Sequence, residues 1–115
     1  VNWFRQDDDG NFLWPGFGEN IRVLEWIVDR VEHRAGAKET PIGFLPHVED
    51  LNTNGLDIEA GALEELTSVD TEQWRAEMAS ILEYLEGYGE RLPEELRRQQ
   101  KMIADALDET IAKAS

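Results

Sequence analysis

Apolar residues recur at helical spacing in three long stretches of the chain, and each stretch predicts a helix. The first stretch predicts a helix over residues 20–35, with Asn20 as its N-cap and Gly36 as its C-cap. Its apolar positions form a single stripe along one side of the helix: Val23, Leu24, Ile27, Val28 and Val31.

The other two stretches lie in the C-terminal half. Asp70 is a favourable N-cap for a helix over residues 71–88, and Pro93 suits the first turn of a helix over residues 93–112. Because the connection between them is short, we expect an antiparallel helical hairpin. A shorter helix is predicted over residues 57–66, with three side chains directed inward: Ile58, Leu63 and Leu66.

The N-terminal region has a different pattern. Residues 1–5 and 12–14 are rich in β-forming side chains, and the Asp- and Gly-containing turn between them predicts a hairpin that brings Phe4 near Phe12. The proline-bracketed segment 41–46 predicts one edge strand. The predicted fold is therefore α+β and mainly α, in one small domain.

Charge and composition disfavour several classes of function. With 25 acidic and 11 basic residues the formal charge is −14, which disfavours binding to nucleic acid or to an anionic membrane. The chain has no cysteine, which fits a cytoplasmic protein, and no apolar run of the roughly 20 residues that a membrane helix needs. No phosphate-binding loop, catalytic motif or metal-ligand pattern stands out, and His47 near Glu49 and Asp50 is better explained as solvated loop charge.

The most unusual stretch is residues 14–20, with the sequence Trp-Pro-Gly-Phe-Gly-Glu-Asn. Proline fixes one backbone angle and glycine permits conformations closed to other residues, so we expect a stiff turn that leads into a helix. Such a turn can hold a flat ring. The alternative interpretation is an aromatic mini-core beneath a loop.

The sequence around this turn resembles GTP-dependent phosphoenolpyruvate carboxykinase. The resemblance is carried by VNWFR at residues 1–5, NFLWPGFGEN at 11–20, RVLEW at 22–26 and TPIGFLP at 40–46. It is weaker after Asn52 and traceable to Pro93. It covers only the C-terminal end of that enzyme, and we expect an internal fragment, in agreement with Val1 in place of Met.

The resemblance implies a part of the nucleotide-binding C-terminal lobe of a lyase that converts oxaloacetate and GTP to phosphoenolpyruvate, GDP and carbon dioxide in gluconeogenesis. Such enzymes use Mn²⁺ and Mg²⁺, and we expect this fragment to bind neither ion. We expect contact with GTP or GDP through the base alone, and with the rest of the parent enzyme. Residues 1–56 would form the guanine-binding segment and residues 57–115 a helical segment, and the isolated fragment is predicted to be inactive.

The resemblance also assigns roles to residues of the turn. It implies an aromatic slot for guanine made of Phe4, Phe12 and Phe17. The base edge would be contacted by Gly18, Glu19 and Asn20, with Asn20 the main hydrogen-bonding residue. The turn itself would be supported by Trp14, Pro15 and Gly16. A function of a different class remains open, a small acidic helical module for protein interaction whose aromatic turn is structural.

Overall fold

The computed structural model describes residues 2–114, which form two compact units. The first unit contains the residues up to Glu39 together with Phe44–Ser68, and the second contains Thr40–Gly43 together with the residues from Val69 onward. The elements in chain order are α1 (Ile21–Val31), β1 (Lys38–Thr40), β2 (Gly43–Leu45), α2 (Ala62–Leu66), α3 (Thr71–Glu86) and α4 (Glu94–Ala114). The α+β, mainly helical prediction is confirmed.

The core of the first unit is built from large side chains at irregular spacing. Its buried members are Trp14, Trp26, Leu51 and Leu63. Side chains that pack against them include Trp3, Val23, Val48, Ile58 and Leu66. The inward positions predicted for residues 58, 63 and 66 are confirmed.

Helix α1 ends at Val31, which is one turn earlier than predicted. His33 adopts a left-handed conformation with φ of 61°, and its N–H donates to Arg30 O at 3.1 Å. The N–H of Arg34 donates to Asp29 O at 2.7 Å. These two bonds form a Schellman motif, in which the left-handed residue follows the C-cap. His33 therefore terminates the helix, and the prediction of Gly36 as the C-cap is wrong.

The apolar stripe of α1 exists, but most of it does not face the core of the first unit. Trp26 and Val23 make the core contacts of the helix. The other stripe residues, together with Ile21, are exposed: Leu24, Ile27, Val28 and Val31. Helix α1 thus has one apolar face packed within its unit and a second that residues 2–114 leave exposed.

The predicted N-terminal hairpin is reduced to one bridge between Gln6 and Phe12, so the strands predicted at residues 1–5 and 12–14 are wrong. Val1, part of the first predicted strand, lies outside the described residues. The chain reverses at Asp7, whose carboxylate accepts 2.9 Å bonds from the N–H groups of Asp9 and Asn11. Local side-chain bonds of this kind compete with strand pairing.

The segment predicted as one edge strand is a hairpin formed by β1 and β2. Pro41 and Ile42 lie in the turn, and the Thr40 hydroxyl donates to Gly43 O at 2.6 Å. Proline is favoured at the second position of such a turn and glycine at the fourth, so the same residues that suggested an edge strand specify a turn.

Helix α2 has five residues and is shorter than the predicted helix over residues 57–66. Gly61 precedes it with φ of 85°, a left-handed conformation that a right-handed helix cannot continue through. The helix therefore begins at Ala62, and Ile58 reaches the core from an irregular segment.

The second unit follows its sequence pattern closely. Asp70 caps α3 by accepting a 3.1 Å bond from the Gln73 N–H, as predicted. Contacts between α3 and α4 pair early residues of one helix with late residues of the other: Arg75 with Asp108, Met78 with Gln100 and Glu86 with Arg97. This order confirms the antiparallel helical hairpin. Leu107 is completely buried within the unit.

Candidate functional site

The turn that links the N-terminal segment to α1 is stiff for reasons visible in its backbone. Gly16 has φ of 139° and ψ of 176°, a region that is open almost only to glycine. A 3₁₀ turn then covers Phe17–Glu19, and the Glu19 N–H donates to Gly16 O at 3.0 Å. Among the described residues, no acceptor from the chain itself faces the N–H groups of Phe17 and Gly18. The turn thus presents two backbone donors.

Trp14 fixes the turn to the core of the first unit. Its side chain is only 6% exposed, and its ring lies 6.0 Å from the ring of Trp3. The indole N–H donates to Asn20 Oδ1 at 2.8 Å, which joins the two ends of the turn. Because a buried indole N–H needs an acceptor, this bond fixes both side chains.

Asn20 occupies the N-cap position of α1, but its side chain does not cap the helix. Its backbone is already helical, with φ of −61°, and the side-chain oxygen accepts from Trp14 instead. The prediction of Asn20 as a capping side chain is therefore wrong. The amide NH₂ of Asn20 has no partner among the described residues, so it is available as a donor.

The three phenylalanines predicted to form the slot are all exposed. Phe4 and Phe12 lie together, with ring centroids 6.3 Å apart in an edge-to-face arrangement, so their predicted proximity is confirmed. Phe17 is 90% exposed and makes no ring contact with either of them. An exposed ring on a rigid backbone is an open face for stacking. Whether the three rings act as one slot remains a prediction.

Glu19 differs from its neighbours because its carboxylate is already engaged. It accepts a 2.6 Å bond from Arg22, whose side chain is 15% exposed. Arg22 also donates to the carbonyl of Asn52 at 2.7 Å. The pair ties the 3₁₀ turn to the loop after residue 50 and leaves the Glu19 carboxylate with less capacity for a ligand than the Asn20 amide.

A shallow cavity of about 140 Å³ lies beside Phe12 and Pro15. It includes the acidic residues Asp7, Asp57 and Glu59 in its lining and does not include Phe17 or Asn20. Three carboxylates around so small a space repel phosphate. Of the predicted base-contacting residues, only Phe12 lines this cavity.

The described residues form neither a cluster of metal-ligating side chains nor a membrane-spanning helix. Among residues 2–114, no group of three or more His, Cys, Asp or Glu side chains is close enough to hold a metal ion. Asp50 instead accepts a 3.0 Å bond from the backbone N–H of His47. Every helix of the described chain is too short or too polar to span a lipid bilayer.

Two contacts of the site were missed from the sequence. The Trp14 to Asn20 bond joins residues six apart, which is no standard local motif. Its only sequence signal is that a buried tryptophan requires an acceptor and that Asn20 is a nearby acceptor. The bond from Arg22 to Asn52 spans 30 residues and leaves no local pattern.

Comparisons with known proteins match almost the whole chain. The family model described as "Phosphoenolpyruvate carboxykinase C-terminal P-loop domain" matches residues 1–106. A relative named "Phosphoenolpyruvate carboxykinase [GTP]" from Arthrobacter sp. strain FB24 is 49% identical over 112 residues, 97% of this chain. Relatives of the same name from Chlamydia muridarum and Corynebacterium efficiens are 47% and 48% identical over 93% and 86% of the chain. The chain spans only 18%, 18% and 16% of these three relatives.

Proposed function

We propose that this chain supplies the guanine-binding part of a larger enzyme. The premise is that the chain belongs to the family of GTP-dependent phosphoenolpyruvate carboxykinases. The parent enzyme would convert oxaloacetate and GTP to phosphoenolpyruvate, GDP and carbon dioxide in the cytoplasm. The observation that carries the proposal is the turn at residues 14–20, which presents an exposed ring and free donors on a fixed backbone. The interaction-module alternative is not favoured by the family match.

Phe17 would stack on the purine, and the donors of the turn would contact its edge. Guanine carries an acceptor at O6, which suits the Asn20 NH₂ and the Gly18 N–H. Adenine carries an amino group at the same position, so a donor would face a donor. A site built for one hydrogen-bonding pattern rejects the other because its polar groups are left unpaired. Phe4 and Phe12 would form the remaining walls of the aromatic slot around the base.

The phosphates and metals would be held elsewhere in the parent enzyme. The chain carries a formal charge of −14 and no phosphate-loop motif. Its described residues do not fit Mn²⁺ or Mg²⁺, since no suitable ligand group exists among them. We place both ions, and the phosphoryl transfer, on the part of the enzyme outside this chain. Absence of activity in the isolated fragment stays a prediction.

We propose that residues 1–56 form the base-binding segment and that residues 57–115 are a helical segment without chemistry, both within the C-terminal lobe. The rest of the enzyme would cover the exposed apolar face of α1, which includes Leu24, Val28 and Val31. So large an exposed apolar face on one helix is typical of a surface that packs against further protein.

The stacking proposal is tested by Phe17→Ala in the full-length enzyme, with Phe44→Ala as the matched control. Phe44 is also an exposed phenylalanine of the first unit, and it lies under the Arg30 guanidinium at 5.7 Å. Loss of a stacking ring should raise the KM for GTP by about 10- to 100-fold. The KM for ATP should rise by a similar factor, because stacking does not depend on the identity of the base. Phe44→Ala should change neither KM.

Asn20→Ala separates edge recognition from stacking. It should lower kcat/KM for GTP more than for ATP, because only the edge contact distinguishes the bases. If Phe17→Ala and Asn20→Ala both leave the KM for GTP at the value of the parent enzyme, the turn does not bind guanine. The aromatic residues would then be structural only.

The surface proposal is tested by Val28→Lys in the full-length enzyme, with Glu25→Lys as the control, one turn earlier on α1 at an exposed position that already carries a charge. A charge placed in a buried apolar contact should lower Tm by several degrees, since it is desolvated without a partner. The same side chain at position 25 should have little effect. Equal Tm values for both variants would show that the α1 face stays exposed in the full enzyme.

A further inference from the structure

The hydrogen bond between Trp14 and Asn20 decides which end of the Asn20 amide is available. The indole N–H only donates, whereas the amide has one oxygen that accepts and one NH₂ that donates. At 2.8 Å the indole must face the oxygen. Rotating the amide by half a turn would place two donors against each other, so the NH₂ is held toward the opposite side.

The indole itself has little freedom to move. Trp14 is 6% exposed and packs within the cluster that contains Trp26, Leu51 and Leu63. The backbone that follows Trp14 is restricted by Pro15 and by the conformation of Gly16, which is open almost only to glycine. The orientation of the amide is therefore set by the core of the unit and not by the ligand.

We infer that Trp14 is a specificity-determining positioning residue, which directs the Asn20 NH₂ toward O6 of the purine and so disfavours adenine. The inference rests on the proposed function of the turn. Trp14 does not need to touch the nucleotide for this role. Without the indole N–H the amide can rotate, and its oxygen can then accept from the amino group of adenine.

This role gives a signature that a purely structural role does not. When the amide rotates freely, the orientation that suits guanine is only partly populated, and the KM for GTP should rise about twofold. The KM for ATP should fall, because at Asn20 an opposed pair of donors is replaced by a hydrogen bond, while the Gly18 N–H is unchanged. The ratio of kcat/KM for GTP to that for ATP should then fall by about 5- to 50-fold.

Trp26 provides the internal control. It lies in the same cluster, is 9% exposed, and its indole N–H also donates, to Gly36 O at 3.2 Å. Trp26→Phe removes the same atoms from the same core without touching Asn20. It should lower Tm about as much as Trp14→Phe, and the nucleotide ratio should stay at the parent value.

The experiment compares Trp14→Phe, Trp26→Phe, Asn20→Ala and Phe17→Ala in the full-length enzyme, with kcat and KM for GTP and ATP and a thermal melt for each. The inference is supported if Trp14→Phe lowers both the KM for ATP and the ratio of kcat/KM for GTP to that for ATP, while Trp26→Phe changes neither. Replacement of Trp14 by 3-benzothienylalanine, in which sulfur takes the place of the N–H, keeps the shape if the phenylalanine variant does not fold.

Failure of the positioning role and failure of the proposed function give different results in this experiment. If Phe17→Ala and Asn20→Ala weaken GTP but the loss of the Trp14 N–H leaves the GTP-to-ATP ratio unchanged, the positioning role is overturned and the guanine site stands. If neither Phe17→Ala nor Asn20→Ala changes the KM for GTP, the proposed function itself fails.

Discussion

The two units of this chain differ in how they use apolar residues. In the helical unit of α3 and α4, most of the periodic apolar positions are at least partly buried and Leu107 is completely buried, although Tyr84, Tyr88, Leu96 and Met102 are exposed. In the first unit, the core is made by a few large residues at irregular spacing, while many apolar residues remain exposed. These are Phe4, Phe12, Phe17, Ile21, Leu24, Ile27, Val28, Val31 and Phe44.

In the first unit, the presence of a large apolar side chain therefore does not indicate that its position is buried in the core. Trp14 and Phe17 lie three residues apart, and one is 6% exposed while the other is 90% exposed. A buried side chain is explained by packing, whereas an exposed aromatic on a rigid turn calls for a ligand or a partner. The first unit is therefore where function should be sought.

The largest effect is expected from Leu107→Ala. Truncating a fully buried leucine removes its packing and leaves a cavity, which costs about 2–5 kcal/mol. Amide hydrogen exchange of α3 and α4 in the full-length enzyme measures the local opening free energy. Met102→Ala, an exposed apolar position on the same helix, should stay within about 0.5 kcal/mol of the parent. Equal exchange in the two variants would contradict the role of Leu107 as the buried core residue of the helical unit.

A smaller effect is expected from Gly16→Ala. The φ of 139° and ψ of 176° at this position are strained for any side chain, at a cost of about 1–3 kcal/mol, although no atom lies close enough to clash. Gly18→Ala is the control, because its backbone is ordinary and its surroundings are open. Thermal melts and exchange of the amides of residues 14–20 should change for position 16 only. If alanine is tolerated equally at both positions, rigidity of the turn does not depend on Gly16.

Asp70→Ala should cost about 1 kcal/mol by removing the cap of α3. Asp70→Asn keeps an acceptor for the Gln73 N–H and should retain most of the stability. The measurement is exchange protection in the first turn of α3. A loss in the asparagine variant as large as in the alanine variant would mean that charge, and not the hydrogen bond, is responsible.

The smallest effect concerns Glu95 at the start of α4. Hydrogen bonds from Arg98 and Gln99 lower the pKa of Glu95 below its usual range. A lowered pKa in the folded state gives stability that is present above the unfolded pKa and is lost as pH falls through the folded pKa. The Glu95 side chain is exposed, so solvent screens most of this contribution. Glu95→Gln removes this small contribution, so α4 exchange should become slightly faster at pH 7 and should depend slightly less on acid below about pH 5.

The sequence predicts the helical unit well because period and capping agree there. The stripes of α3 and α4, Asp70 and Pro93 all favour the same two helices, and the ends differ from the predicted ones by two residues at most. In the first unit, local signals compete. Pro41 suits either an edge strand or a turn, and the Asp7 carboxylate replaces strand pairing with a side-chain turn.

The rigidity of the turn at residues 14–20 can be predicted from the sequence, but its internal hydrogen bonds cannot. The glycine and proline residues of the turn indicate a fixed backbone, and the structure has one. The amide of Asn20 was expected to cap α1, since asparagine is a favoured cap. It binds the Trp14 indole instead, because burial of that indole requires an acceptor and burial cannot be inferred from local sequence. The base-contacting roles of residues 4, 12 and 17–20 stay predictions.

The left-handed residue at the end of α1 also limits how this sequence can diverge. Position 33 should accept glycine or asparagine in related chains and exclude valine and isoleucine, whose branched side chains do not tolerate positive φ. Position 36, although it holds a glycine here, has no positive φ and open space around it, so it should vary freely. Substitution patterns along this segment should therefore mark residue 33, and not the glycine that follows it, as the point where the helix must stop.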